Sequence, residues 1–118
     1  KLGGVVRPAS SYLRWIQASV GDRIEMIAVE DILFFQSADK YTRVVQSGAE
    51  ALIRKPVYEL VTELDPARFW QVHRASIVNA TAIRDLIRDE RGRLQIRLRG
   101  SDERLEVSRT YAYRFRQM

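Results

Sequence analysis

The amino-acid sequence predicts a mainly β domain of short strands, with one mid-chain helix and a helical turn near the C-terminus. Three observations predict it. Short runs rich in Val, Ile, Phe, Trp and Tyr recur along the chain, separated by clusters of Gly, Asp, Ser and Asn, the pattern of strands and turns. Only one segment repeats its apolar residues at a helical period. The composition, 46% hydrophobic and 30% charged over 118 residues, suits one folded domain with a modest core. Strands this short and this closely spaced form a barrel or layered sheets.

Taken in order, residues 1–11 contain Gly3, Gly4 and Pro8 and read as the remnant of a linker, with the folded domain spanning 12–118. The start, Lys1-Leu2-Gly3-Gly4, has no initiator Met, so a piece of a longer protein is expected. Arg14 to Ala18 is a first strand, Gly21-Asp22 a turn, and Arg23 to Ile27 the hairpin partner. Val29-Glu30-Asp31 links to Ile32 to Gln36, which is apolar on both faces and therefore central. Ser37 to Lys40 turns into a strand from Tyr41 to Gln46, and Ser47-Gly48 turns into another from Ala49 to Arg54.

The helix follows, with Pro56 at its first position and Val57, Leu60, Val61 and Leu64 on one apolar face. Asp65-Pro66 ends it, because the residue before proline avoids helical geometry. Ile83 to Ile87 and Leu94 to Leu98 form a hairpin around Asp89-Glu90-Arg91-Gly92. Its second arm alternates Leu94, Ile96 and Leu98 with Arg93, Gln95, Arg97 and Arg99, giving one apolar and one basic face. Leu105 to Val107 is a last short strand, after which Ser108 is placed to cap a helical turn from Arg109 to Arg116.

Between helix and hairpin lies Phe69-Trp70-Gln71-Val72-His73-Arg74-Ala75-Ser76-Ile77-Val78-Asn79, two apolar runs around a polar step. It reads as two strands joined by a tight bend that holds His73 and Arg74 out of the core. An arginine mounted on packed flanks loses less freedom on binding than one on a loose tail.

The composition narrows the function. The net charge of +5 and pI near 10.0 favour a polyanionic partner. Lys1, Lys40 and Lys55 are the only lysines, so 17 of the 20 basic residues are arginine. Its planar fork matches phosphates and guanine edges, although a preference for arginine codons would give the same bias. With no cysteine, disulfides and thiolate metal sites are impossible and nothing argues for secretion. The run Ile32-Leu33-Phe34-Phe35 is far too short to cross a bilayer. One histidine, no glycine-rich phosphate loop and no metal-ligand spacing argue against an enzyme, a metal site or a cofactor.

The candidate contacts each have a plainer reading. His73 on a packed bend is a natural structural hydrogen-bonding residue. Arg74 has no carboxylate near it in sequence. Arg109 follows the hydroxyl of Ser108 at a strand-to-helix step suited to phosphate, or is a solvated helix residue. Lys40, Thr42 and Arg43 cluster at a turn and count as a site only if they lie beside the other two. Arg93, Arg97 and Arg99 read as a solvated face neutralised by Asp85, Asp89 and Glu90.

The order of the pieces is informative. Asp31-Ile32-Leu33-Phe34-Phe35-Gln36-Ser37, Lys40-Tyr41, Ile53-Arg54 and a helix ending Glu63-Leu64-Asp65 come first. Arg68-Phe69, Val72-His73-Arg74, Ile77-Val78-Asn79 and Val107-Ser108-Arg109 follow. From about Arg14 to about Arg116 this series resembles the LytTR-type DNA-binding domain of bacterial transcription regulators.

The resemblance implies small layered antiparallel sheets that bind duplex DNA through loops entering successive major grooves. It carries the base-reading positions onto Thr42 with adjacent Arg43, onto Arg74 and onto Arg109. Thr42 is short for that task, so Arg43 or Lys40 can substitute. Lys40 and Ser108 are phosphate candidates, as is Ser76, since Ala75 stands where a hydroxyl residue is common. His73 and Asn79 hold the loop. The resemblance further implies a cytoplasmic bacterial protein of a two-component system. Two copies would sit on promoter direct repeats, governed by an absent N-terminal receiver that is phosphorylated. Two rivals remain. One is a protein-interaction β module pairing through the exposed edge of the Arg93–Arg99 hairpin. The other is a single-strand binder, which needs exposed aromatics. Trp15, Phe34, Phe35, Phe69 and Trp70 are expected to be buried, leaving Tyr41, Tyr111 and Tyr113.

Overall fold

The computed structural model describes residues 11–116. The stretch expected to be a linker therefore lies, except for Ser11, outside the described residues. The layered, mainly β architecture is borne out: the described residues form ten strands in three antiparallel sheets.

Strands β1 (Trp15–Val20) and β2 (Arg23–Ala28) make a hairpin that turns at Gly21, whose φ of +64° suits glycine. The central sheet contains β3 (Ile32–Ala38), β4 (Tyr41–Gln46), β5 (Ala49–Ile53), β6 (Phe69–His73) and β7 (Ser76–Asn79). Its spatial order is β5-β4-β3-β7-β6, with β3 in the middle as its two-sided apolar sequence predicts. The third sheet is β10-β9-β8, from β8 (Ile83–Arg88), β9 (Leu94–Leu98) and β10 (Arg104–Glu106).

The central sheet has a core on each face. Ile32 and Phe35 join Val44, Ile77 and Phe69 on one side, under the β1–β2 hairpin and helix α1 (Val57–Glu63). Phe34 joins Val45, Val72 and Val78 on the other, against Ile96, Leu98 and Leu105 of the third sheet. Strict alternation would send Ile32 and Phe35 to opposite faces. A register shift between Ile32 and Phe34 inserts one extra residue and lets both point the same way. Ile32, Phe34 and Phe35 are completely buried as a result. At about 25 cal/mol per Å² of apolar surface, such side chains supply much of the drive for folding.

Several expectations need correcting. Pro56 is the N-cap, in extended geometry (ψ 159°), and not the first helical residue. Val61 faces solvent, whereas Leu64 is buried just past the helix end, where its N–H donates to the Leu60 carbonyl at 2.9 Å. The C-terminal turn is a 3-10 helix from Arg109 to Phe115, and the Ser108 side chain makes no capping bond. Trp15 is 52% exposed. It lies on the outer face of the β1–β2 hairpin, which no further layer of the described residues covers, together with Ile24 and Met26. Finally, β9 is paired on both sides, so the third sheet's free edges belong to β8 and β10. The β8–β9 hairpin's exposed edge is therefore the β8 strand, while β9, between Arg93 and Arg99, is covered on both sides.

Candidate nucleic-acid interface

The bend between β6 and β7 is built as its sequence requires. Val72 and Ile77 are buried in opposite cores, and a register shift between Gln71 and His73 bends β6. The imidazole of His73 then braces the turn, its Nδ1 accepting the Ala75 N–H at 3.1 Å. Accepting there leaves the ring proton on Nε2. Between them Arg74 is exposed, and its guanidinium makes no hydrogen bond or ion pair with the described residues.

Two backbone hydrogen bonds bring other turns to this bend. Ser37 N–H donates to the Ala75 carbonyl at 2.8 Å, tying the end of β3 and the β3–β4 turn to it. Ser108 N–H donates to the Val72 carbonyl at 2.9 Å, tying the start of the C-terminal 3-10 turn to the end of β6. Three chain segments far apart in sequence thus meet beside one bend. Each carries an exposed cation without a protein partner among the described residues: Lys40, Arg74 and Arg109. The β3–β4 turn is made possible by Asp39, which adopts φ +58°, a conformation that Asp tolerates better than most residues.

Other sequence-derived candidates lie elsewhere. Thr42 is 1% exposed, and its hydroxyl donates to the Lys55 carbonyl at 2.8 Å, so it has no surface to offer a base. It faces the same core as Val44 because alternate residues of β4 share a face. Arg43, on the opposite face, lies over the Phe34 ring at 5.6 Å. Its fork pairs with Glu103 at 2.6 and 3.1 Å and with Glu50 at 2.8 and 3.2 Å. It also donates to Gln36 Oε1 at 2.8 Å. The hydrogen bonds to Glu50 and Glu103 raise the Arg43 pKa, and the same guanidinium lowers that of Glu50. Arg43 is a structural clamp. Ser76 is 3% exposed beneath Gln36, which removes it as a phosphate contact.

Asn79 is also buried, at the end of β7. Its Nδ2 donates to the Ile32 carbonyl at 2.9 Å, and its Oδ1 accepts from the N–H and hydroxyl of Thr81. It anchors the bend's second strand to central β3. On the β8–β9 hairpin, Arg97 forms a bidentate pair with Asp85 at 2.6 and 2.7 Å, and the Asp85 carboxyl is held below its usual range by that contact. Arg99 donates to the carbonyls of Thr81 and Ile83. The face is thus partly neutralised by Asp85 as its sequence suggests, while Asp89 instead accepts the turn amides of Arg91 and Arg93. Tyr41 and Tyr113 are exposed and Tyr111 is half-buried. No metal-binding group of three or more His, Cys, Asp or Glu occurs among the described residues. No helix among them is long and apolar enough to cross a membrane.

The fold and these turns can be set against known proteins. Residues 22–118 match the LytTr DNA-binding domain family. The chain belongs to that family. An uncharacterized response regulatory protein of Vibrio cholerae is 35% identical over 98% of this chain and 44% of its own length. The positive alginate biosynthesis regulatory protein of Pseudomonas aeruginosa is 33% identical over 81% of this chain and 39% of its own. The LytTr domain thus spans about half or less of these curated relatives. The solved LytTr DNA-binding domain of a Bacillus cereus response regulator superposes with a TM-score of 0.78. At 21% identity over 87% of this chain and 94% of that one, the likeness concerns the fold.

Proposed function

We propose that this LytTr domain is the DNA-reading output of a bacterial transcription regulator and performs no catalysis. The observation that carries the reading is the convergence of three turns at one bend, each bearing a cation without a partner among the described residues. Rigid, packed flanks hold Arg74 and Arg109 out into solvent, where each can form a bidentate pair with a guanine edge in the major groove. Lys40 and the hydroxyl of Ser108, which caps nothing, contact phosphate. Loops, not a recognition helix, do the reading, because α1 packs its apolar face on the central sheet. Two copies on direct repeats, controlled by a receiver domain elsewhere in a longer cytoplasmic chain, complete the proposal. The name of the Vibrio cholerae relative, a response regulatory protein, supports the regulatory part of that arrangement alone.

The test is selection from a random duplex library with wild type and the Arg74→Ala, Arg109→Ala double variant. Wild type should enrich a repeated motif that the variant does not recover. Each arginine should be worth about 1–3 kcal/mol at its base, roughly 5- to 150-fold in affinity. Equal loss on matched and random DNA would remove both residues as base readers.

A further inference from the structure

The protein's basic excess is not spread evenly. An open groove lies between the tip of the β8–β9 hairpin and the C-terminal 3-10 turn. Arg88, Arg91 and Arg93 line it from the hairpin, Arg109 and Arg116 from the other wall, and Glu106 is its single acidic side chain among the described residues. The sequence hides this grouping, because nothing local brings the hairpin tip beside the C-terminal turn.

Local pairing leaves most of this charge uncompensated. Glu106 lies 3.8 Å from Arg93, at the limit of an ion pair and with both side chains about half exposed. Arg88 donates only to the Gly92 carbonyl, which carries no formal charge. Asp89 accepts the amides of Arg91 and Arg93 on one carboxylate oxygen and braces the tip, and its charge acts on those two arginines without forming an ion pair. The guanidinium groups of Arg91, Arg109 and Arg116 have no hydrogen-bonding or ion-pair partner among the described residues. Five like charges around one groove repel each other, and an extended polyanion relieves that repulsion while releasing its own counterions.

We infer that this groove holds the sugar-phosphate backbone of the bound duplex on the far side of Arg109, extending the footprint beyond the bases read. The inference rests on the proposed DNA-reading function, because Arg109 is both a wall of the groove and a proposed reader. It assigns Arg88, Arg91, Arg93 and Arg116 to affinity, and leaves sequence preference to Arg74 and Arg109. The arrangement fits an asymmetric footprint, with sequence-independent grip on one flank only.

The experiment compares wild type, the Arg91→Ala, Arg93→Ala double variant and, on the opposite wall, Arg116→Ala. Each is titrated with one half of the selected repeat, which seats a single copy, in a long duplex and in two duplexes, each shortened on one flank. On the long duplex the double variant should lose about two units of salt slope, so a fourfold rise in salt weakens wild type about tenfold more than the variant. Arg116→Ala should lose about half that slope. The ratio of matched to mismatched affinity should stay unchanged in both. Shortening one particular flank should bring wild type down to the variant, and shortening the other should not. Unchanged slopes in both variants, with wild type still selecting its site, would overturn the groove assignment alone. Failure of wild type to select any site would instead refute the DNA-reading function. Loss of base preference in the double variant would also overturn the assignment, since it makes the tip a reader.

Discussion

Replacing Arg43 with alanine separates two roles that its place beside Thr42 leaves confounded in the sequence. The guanidinium makes bidentate pairs with Glu50 and Glu103, and the side chains of the three residues are 19%, 45% and 43% exposed. Exposed ion pairs are typically worth 0.2–1 kcal/mol, and bidentate geometry puts these near the upper end, about 1 kcal/mol each. The contact over Phe34 adds about 0.5–1 kcal/mol at a partly exposed site. Arg43→Ala should therefore destabilise the domain by about 2–3 kcal/mol and lower Tm by roughly 8–24 °C, given about 4–8 °C per kcal/mol for a small domain. Thermal and urea unfolding measure the loss, and a cycle with Glu103→Ala isolates one arm of the clamp. Below the unfolding midpoint, the preference for matched over mismatched duplex should equal that of wild type. A variant that keeps its Tm within a degree or two but loses that preference would refute the clamp and restore Arg43 as a reader.

Two further outcomes follow from the same contacts. Asn79→Ala should cost about 2–4 kcal/mol in urea unfolding, because it leaves the buried Ile32 carbonyl without its partner and frees Thr81; wild-type stability would remove Asn79 as the anchor of the bend. The pH dependence should be one-sided. Glu50, Asp85 and Asp89 all have depressed folded pKa values, from Arg43, Arg97 and the Arg93 amide respectively. Their contribution is complete above the unfolded carboxylate values of about 4 and is lost as pH falls through the lower folded values. Tm should thus fall below about pH 4, and Glu50→Gln should flatten part of that fall.

Much of the fold is local and so legible in the chain. Leu94–Leu98 appears as a strand with the bounds its alternation gives, because facing one core forces a period of two. The central position of β3 follows from Phe34-Phe35, since neighbouring aromatics in a strand need a core on each side. His73 and Arg74 were also marked by their flanks: two buried runs leave the step between them nowhere to go but outward.

Tertiary structure decided what pairing and facing decide. Thr42 and Arg43 are adjacent polar residues near one turn, and only the sheet's layers send one into a core and the other to carboxylates at positions 50 and 103. Ser76 is closed off by strands brought from the other side of α1. Trp15 is exposed because the hairpin that carries it is an outermost layer of the described residues, which its own sequence cannot state. The meeting of the turns near Lys40, Arg74 and Arg109, and the arginine groove beside the last of them, rest on hydrogen bonds and packing between distant segments. Local sequence fixes which residues can form a strand or a turn; which turns become neighbours depends on how the layers close around a shared core.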